Sequence, residues 1–517
     1  MARPIVYLIG AGPGAPDLIT ARGLRVVQNA DVIIYDHMVH ARLLREALPF
    51  AERIDVGSAA PQRVDQEAIC YLLAEKAREG KVVARLKWGD PFVFDRGGEE
   101  AVFLRAQGIR FEVVPGVPAA LGAPAYAGIP VTFPGGGDTI TFVRGYEDDG
   151  REPPAVNWMG LAGLDGTLVC YAGPRQIPQM LDALLAAGRP QDDAAAIVAN
   201  GTLPDQQTLS GTIGTLSQML KEQPARGPAL LIIGKVVGLR DKVRWFDERP
   251  LFGRRVLVTR SRDQAGELVD LLEAAGAEAV EAPLIRIAAP EDEGPLERAC
   301  AEAGRYDWIV FTSANGADSF MRRLLEGPRD VRALAGARIC TVGPGTAARL
   351  ARFGLKVDLI PDEHRAEAIA SALAALGPLS GQRILLPQGD IARDVLGDAL
   401  RAAGAEVTEV VAYRTMATEG DGDLDIYGQL LEHRIDVVTF TSASAIRSFV
   451  ALFGAEQAAD LLNHTDVATI GPVTAEAAAR YNIRVRITPA TYTIPSLVDA
   501  IVTHFRTHGD EAPEAQV

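Results

Sequence analysis

Short apolar runs alternate with amphipathic stretches along most of this chain. "IVYLIGAGPG" (5–14) reads as a strand entering a loop, "LITARGLRVVQNA" as a helix and "DVIIYD" (31–36) as the next strand. "QEAICYLLAEKAREG" predicts a helix stopped by Gly80, and "KVVARLKWGDP" (81–91) a further strand and loop. Strands alternating with helices imply an α/β architecture with a mainly parallel sheet. Ligands in such folds gather at the C-terminal strand ends, where these glycine-rich loops lie. From Thr139 the pattern resumes in "TITFVRG", "GTLVCYAGPRQIPQMLDALLAAG", "AAAIVANGTLPDQQTLSGTIGTL" and "PALLIIGKVVGL". The charged, aromatic stretch "RDKVRWFDERPLFGRR" then breaks it, which places the main boundary near Arg249–Gly253.

A second α/β system opens at "RRVLVTRSRDQAGELVDLLEAAGAEAVEAP" and carries a weak internal echo. "YDWIVFTSANGADSFMRRL" resembles "IDVVTFTSASAIRSFVALF", and "ARICTVGPGTAARLARFGLKV" resembles "VATIGPVTAEAAARYNIRV". Two similar units suggest two related lobes facing one another across a cleft. The tail, 508–517, is polar.

Length and composition narrow the function. The 517 residues suit about three or four folding units, and 48% apolar with 23% charged residues is ordinary for a globular protein. No run of about 18 apolar residues predicts a membrane span, and the N-terminus lacks signal-peptide character. The net charge of −15 argues against nucleic acid as a partner, though local loops can still bind an acidic ligand. Cys70, Cys170, Cys300 and Cys340 are widely spaced, which argues against a zinc site or disulfide framework and suits the cytoplasm.

Single motifs are weak. "GAGPGAPD" (10–17) has Ala15 where a dinucleotide fingerprint needs its third glycine, so a turn that brings ligand close to backbone is the better reading. Arg96 and Glu99 in "DPFVFDRGGEE", taken alone, read as a solvated pair at a helix start. "NGTLPDQQ" (200–207) reads as a turn.

The order of the motifs is informative. "VYLIGAGPGAPDLIT", "ADVIIYD", "RLKWGDPFVFDRGGEE", "VVPGV", "GAPAYAGIPVT", "NGTLPDQ" and "RWFDERPLFGRRVLVTR" together resemble uroporphyrinogen-III C-methyltransferase, of the tetrapyrrole methylase family, over about 4–248. From about 253 to 507, "RRVLVTR", "FTSANG", "DIARDVLGDALRAAGAEVTEVVAYRT", "FTSASAIRSF", "IGPVTAEAA" and "YTIPSLVDAI" resemble uroporphyrinogen-III synthase. The chain looks like a fusion of two enzymes that act consecutively.

The resemblance implies a two-lobed methylase fold over 1–248 (lobes about 1–130 and 131–248) and a two-lobed synthase-like fold over 249–507. The synthase-like lobe one would be about 253–288 plus 417–507, with lobe two, 289–416, inserted. It implies cyclisation of hydroxymethylbilane with ring inversion, without a cofactor. It further implies methylation of uroporphyrinogen III by S-adenosylmethionine towards precorrin-2, on the route to siroheme and cobalamin. The partners are then small tetrapyrroles and a second copy, in a homodimer through the methylase half.

The family's proton acceptor falls on Asp36, and its cofactor contacts on Pro13, Trp88, Gly89, Asp90, Val93, Pro118, Ala119, Ala172 and Gly201. Arg96 and Glu99 match substrate-side positions. In the second half Tyr413 is the candidate to assist hydroxyl departure. Thr312, Ser313, Thr346, Thr441, Ser442 and Thr474 lie in loops whose hydroxyls and backbone N–H groups suit carboxylates. Tyr413 reads equally as a half-buried strand aromatic.

Departures from the methylase pattern cluster at ligand positions. "GGD" becomes "WGD" with Trp88, and "PGIT" becomes "PGVP", so Pro118 removes a hydroxyl and an N–H. Ala172 shortens a methionine, Ser58 replaces a lysine, and Phe133 and Pro134 stand for a histidine and an arginine. Three readings stay open: an active methylase with Trp88 covering the space left at 172, a synthase carrying an impaired dimerisation or product-binding module, and a methylase for another tetrapyrrole.

Overall fold

The described residues of the computed structural model fold around four sheets; they are 4–48, 50–57, 64–145, 155–282, 285–361, 366–390, 395–417 and 425–508. The chain divides into two units, Met1–Arg254 with Ala275–Glu278, and Arg255–Ala274 with Ala279–Val517.

In the first unit β1 (Ile5–Gly10), β2 (Val32–Tyr35), β3 (Glu52–Asp55), β4 (Val82–Lys87) and β5 (Phe111–Val114) form a parallel sheet, order β3-β2-β4-β1-β5. Val6, Leu8, Ile9, Ile33, Ile34 and Val83 are fully buried, so the sheet is covered on both faces as parallel sheets require.

The second sheet of this unit contains β6 (Ile140–Arg144), β7 (Thr167–Ala172), β8 (Ala194–Ala199), β9 (Gln207–Thr212) and β10 (Ala229–Ile233), order β6-β7-β10-β8-β9. Only β6 and β7 run parallel; the other pairs are antiparallel, unlike the mainly parallel sheet expected from the alternation. The reason is local. β8 reaches β9 through the short segment Asn200–Gln206, with Asn200 and Thr202 at φ +49° and +75°, whereas a parallel pair needs a crossover of a dozen or more residues.

The second unit contains β11 (Arg255–Val258), β12 (Glu278–Glu281), β13 (Ile285–Ala288), β14 (Trp308–Phe311), β15 (Arg338–Thr341), β16 (Arg383–Gly389), β17 (Glu406–Ala417), β18 (Val437–Phe440) and β19 (Asp466–Thr469). One sheet has the order β12-β11-β18-β19, the other β13-β17-β16-β14-β15. β13 pairs antiparallel with the end of β17, Ile285 opposite Ala417. Residues 285–288 thus pair with the last four residues of β17, at the boundary expected between lobe one and lobe two. A twelve-residue strand is long enough to pair with β16 first and β13 afterwards.

The internal echo is structural. After β14 and β18, Ser313 and Ser442 sit at φ −155° and −158° and cap the helices Ala314–Glu326 and Ala443–Phe453. After β15 and β19, extended Gly343 and Gly471 precede Pro344 and Pro472 at the first helical turn. Proline suits that position because its missing N–H would be unpaired there anyway.

Candidate active sites

In the first unit the ends of β1, β4 and β5 meet without side chains. A Cβ on Gly10 would lie 2.5 Å from the Gly116 Cα and the Gly89 carbonyl oxygen, so only glycine permits the approach. Gly89, at φ +71°, exchanges hydrogen bonds with Gly12, donating at 2.8 Å and accepting at 3.2 Å. Asp90 fixes the same corner: its carboxylate accepts from the backbone N–H of Phe92 at 2.8 Å and of Gly116 at 3.0 Å. Val93 follows half-buried in the same loop, its N–H facing the Asp90 carbonyl at 3.4 Å.

Trp88 closes one side of this corner. Its indole N–H donates to the Pro13 carbonyl at 3.0 Å, and its ring packs on the apolar cluster of Ala119, Ala120, Ala123 and Val198. Pro118 starts the helix Ala119–Tyr126 with no side-chain cap, and Ala119 is buried behind it. The Ala120 N–H donates to the Tyr171 hydroxyl at 3.2 Å, and burial pushes that phenol's pKa up. Gly201 lies against Ala123, and Thr202 accepts from the Ala15 N–H at 2.9 Å. Pro13, Trp88, Gly89, Asp90, Pro118, Ala119 and Gly201 thus come together.

Ala172 does not join them. Its side chain lies in the core of the other sheet face, with Cys170, Ile177 and Met180, whereas Trp88 and Tyr171 belong to the first. Successive strand residues point to opposite faces, so Trp88 does not cover space left at 172. Arg96 and Glu99 form an exposed two-pronged pair at 2.9 and 2.5 Å. Phe133 and Pro134 stand exposed, and Ser58 lies outside the described residues.

Asp36 leads into a buried charge network that sequence reasoning missed. Arg85 Nη2 donates to Asp36 Oδ1 at 2.5 Å, and its Nε donates to Glu100 Oε1 at 3.1 Å. Lys87 bridges Glu100 and Asp95, each at 3.0 Å. Arg85, Lys87 and Glu100 are at most 1% exposed. Burial works against the Arg85 charge, but Asp36 and Glu100 more than offset this and hold its pKa above the usual value. Burial lifts Asp95 to about 6 although Lys87 pulls the other way. The signal was available: Arg85 and Lys87 share one face of an otherwise apolar strand, where unpaired cations are not tolerated.

In the second unit the Tyr413 hydroxyl lies 3.2 Å from Ser313 Oγ, which also accepts from the Gly316 N–H at 3.0 Å. Burial raises the phenol pKa, and hydrogen bonds from Ser313 and Asn315 oppose that rise. A Cβ on Gly389 would come within 2.8 Å of the Tyr413 ring, so glycine makes room for it. Thr312 is half-buried beside this cluster. In lobe one Thr441 is half-buried, and Ser442 Oγ accepts from the Ala445 N–H at 3.2 Å and lies 2.9 Å from Ser444 Oγ. Thr346 and Thr474, at 5% and 4% exposed, lie in the first turns of their helices, where their hydroxyls are largely closed to solvent. Asp390 follows Gly389 on the surface.

A glycine-cornered unit followed by a duplicated unit built on helix starts makes a two-domain α/β enzyme, and comparison with known proteins specifies which. Residues 5–217 match the family Tetrapyrrole (Corrin/Porphyrin) Methylases, and residues 266–499 match Uroporphyrinogen-III synthase HemD. The Porphyrin biosynthesis protein HemD of Ruminiclostridium josui is 37% identical over 97% of this chain and 98% of its own. The Uroporphyrinogen-III C-methyltransferase of Bacillus subtilis is 33% identical over 72% of this chain and 76% of its own. The Siroheme synthase of Thiobacillus denitrificans is 45% identical over 47% of this chain, which spans about half (51%) of that protein. The chain belongs to the porphyrin biosynthesis HemD family and joins a tetrapyrrole methyltransferase domain to a uroporphyrinogen-III synthase domain.

Proposed function

We propose that the second unit cyclises hydroxymethylbilane to uroporphyrinogen III with inversion of the last ring, and that the first unit methylates this product towards precorrin-2. The observation that carries the reading is the Tyr413 hydroxyl held by Ser313 at a helix start, with Gly389 clearing its ring. A phenol kept protonated by burial can donate to the departing hydroxyl, while the helix starts after β14, β15, β18 and β19 present backbone N–H groups to carboxylate arms. Holding both ends of a flexible chain in one orientation is then most of the catalysis.

For methylation, Asp36 is the carboxylate placed to take the proton that the pyrrole system releases, and the Arg85 guanidinium holds it in position. The contact among the Gly10, Gly89 and Gly116 backbones sets the loops after β1, β4 and β5 side by side, which supports a cofactor held largely by backbone groups. S-adenosylmethionine held there by the backbone around Pro13, Gly89, Pro118 and Gly201 would supply an electrophilic methyl. Trp88 favours a second reading, in which the ring blocks this corner and the first unit serves as a dimerisation or product-binding module. Either reading suits a cytoplasmic homodimer formed through the methylase half.

The test gives the full chain hydroxymethylbilane with S-adenosylmethionine and analyses product by isomer and mass. Type III product carrying two added methyl groups is expected. Type III product without methylation supports the second reading, and type I product alone sinks the cyclisation reading.

A further inference from the structure

The sheet β12-β11-β18-β19 reverses direction between β11 and β18: the chain leaves β11 towards β12 and leaves β18 towards β19. Loops diverge at such a switch and open a crevice at the C-terminal strand ends, where α/β folds bind ligands. The two strands are tied there by their threonines. Thr259 Oγ1 donates to the Thr439 carbonyl at 2.7 Å, and Thr439 Oγ1 donates to the Leu257 carbonyl at 2.9 Å.

Among the described residues, two polar groups at this crevice lack the partners their burial calls for. Arg260, two residues beyond β11, is half-buried, and its Nε donates to the neutral Gln264 amide oxygen at 3.2 Å. Among the described residues no carboxylate lies within ion-pair distance of it. Ser261, next to it, is 5% exposed, and its Oγ has no hydrogen-bond partner among the described residues. It stands immediately before the thirteen-residue helix Arg262–Ala274, whose first N–H groups point back at the same place.

Charges of both signs lie near this guanidinium. Burial lowers the Arg260 pKa most, Glu267 opposes this from further along the helix, and the charge of Arg349 on lobe two adds to the lowering. Arg349 is itself clamped by Asp318, with both carboxylate oxygens within 2.6 Å of its Nε. A half-buried guanidinium bonded to a neutral amide, beside a buried hydroxyl without a partner among the described residues and a helix N-terminus, has the chemistry of an oxyanion site.

We propose that Arg260 and the Ser261 hydroxyl hold one carboxylate arm of the linear tetrapyrrole at the β11–β18 switch, so that Arg260 positions the substrate. The proposal rests on the cyclisation reading above. It gives lobe one an ionic anchor besides its neutral hydroxyls.

The experiment follows hydrogen exchange in 259–264 of the full chain with uroporphyrin III, its octamethyl ester or inorganic phosphate as probe, alongside cyclisation kinetics. Uroporphyrin III is expected to protect the loop and the ester is not. Arg260→Met should abolish the protection and raise KM for hydroxymethylbilane roughly ten- to a hundredfold, the loss of one charged hydrogen bond. Arg260→Lys should restore part of both, and an unchanged thermal midpoint shows that the variants fold. Loop protection that depends on Arg260 in a chain making no type III isomer keeps the site and removes the cyclisation reading. An unprotected wild-type loop, equal protection by phosphate, or a KM unmoved in Arg260→Met overturns the proposal.

Discussion

The indole of Trp88 donates to the Pro13 carbonyl at 3.0 Å and so ties the loop after β4 to the loop after β1. Both loops belong to the corner proposed for S-adenosylmethionine, and the tie fills part of it with an aromatic ring. Trp88→Gly combined with Pro118→Thr is expected to tighten S-adenosylmethionine binding about tenfold, equivalent to one interaction of about 1.4 kcal/mol. Calorimetric titration of the full chain checks this. Equal affinities would make Trp88 an ordinary wall of a working pocket.

Arg85 sits between Asp36 and Glu100 with 1% of its surface exposed. Replacing it by methionine takes the guanidinium away from Asp36 and leaves the fully buried Glu100 with Lys87 alone as a cationic partner among the described residues. Loss of one partner of a buried ion pair costs about 3–5 kcal/mol. Denaturant unfolding of Arg85→Met should show that loss, and a change below about 1 kcal/mol would mean the network relaxes by admitting water.

Asp95 gives the first unit a pH signature. Its pKa rises from 3.8 to about 6 on folding, so between these values the native state holds a proton that the unfolded state has released. Stability therefore falls as pH rises through that window, by up to about 3 kcal/mol for a shift of this size. Asp95→Asn should flatten the slope when unfolding is measured at about pH 4, 5, 6 and 7. A slope that survives the substitution assigns it to another group.

Tyr413 and Gly389 can be separated by two substitutions. Tyr413→Phe removes the hydroxyl and keeps the ring, so formation of the type III isomer should fall by about 10²–10⁴ while the thermal midpoint barely moves. Gly389→Ala puts a methyl 2.8 Å from the ring and displaces it, which should lower both stability and the ratio of type III to type I product. Chromatographic isomer analysis reads both. An unchanged ratio in Tyr413→Phe would return this residue to a packing role.

The sequence made some of this visible and hid the rest for identifiable reasons. Strand ends at Gly10 and Gly89 were legible because glycine there answers a backbone contact, and the repeated serine and glycine-proline helix starts were legible as an echo. The antiparallel pairing of β8 with β9 was not, because apolar runs look alike in either direction and only the connection decides. The face on which Ala172 lies was likewise hidden, since a motif aligned position by position says nothing of side-chain direction. Arg85 and Lys87 are hard to see in the sequence because apolar residues dominate their strand, although two cations on one buried face demand acidic partners.

β13 and the end of β17 lie side by side, Ile285 against Ala417, and between them the chain makes the whole of lobe two. Entry and exit are therefore neighbours about 5 Å apart, the spacing of paired strands. A module whose two ends coincide can be removed, exchanged or circularly permuted with a single short splice and little disturbance to its host. Lobe two thus hangs on a seam two strands wide, and Tyr413 stands one residue from that seam.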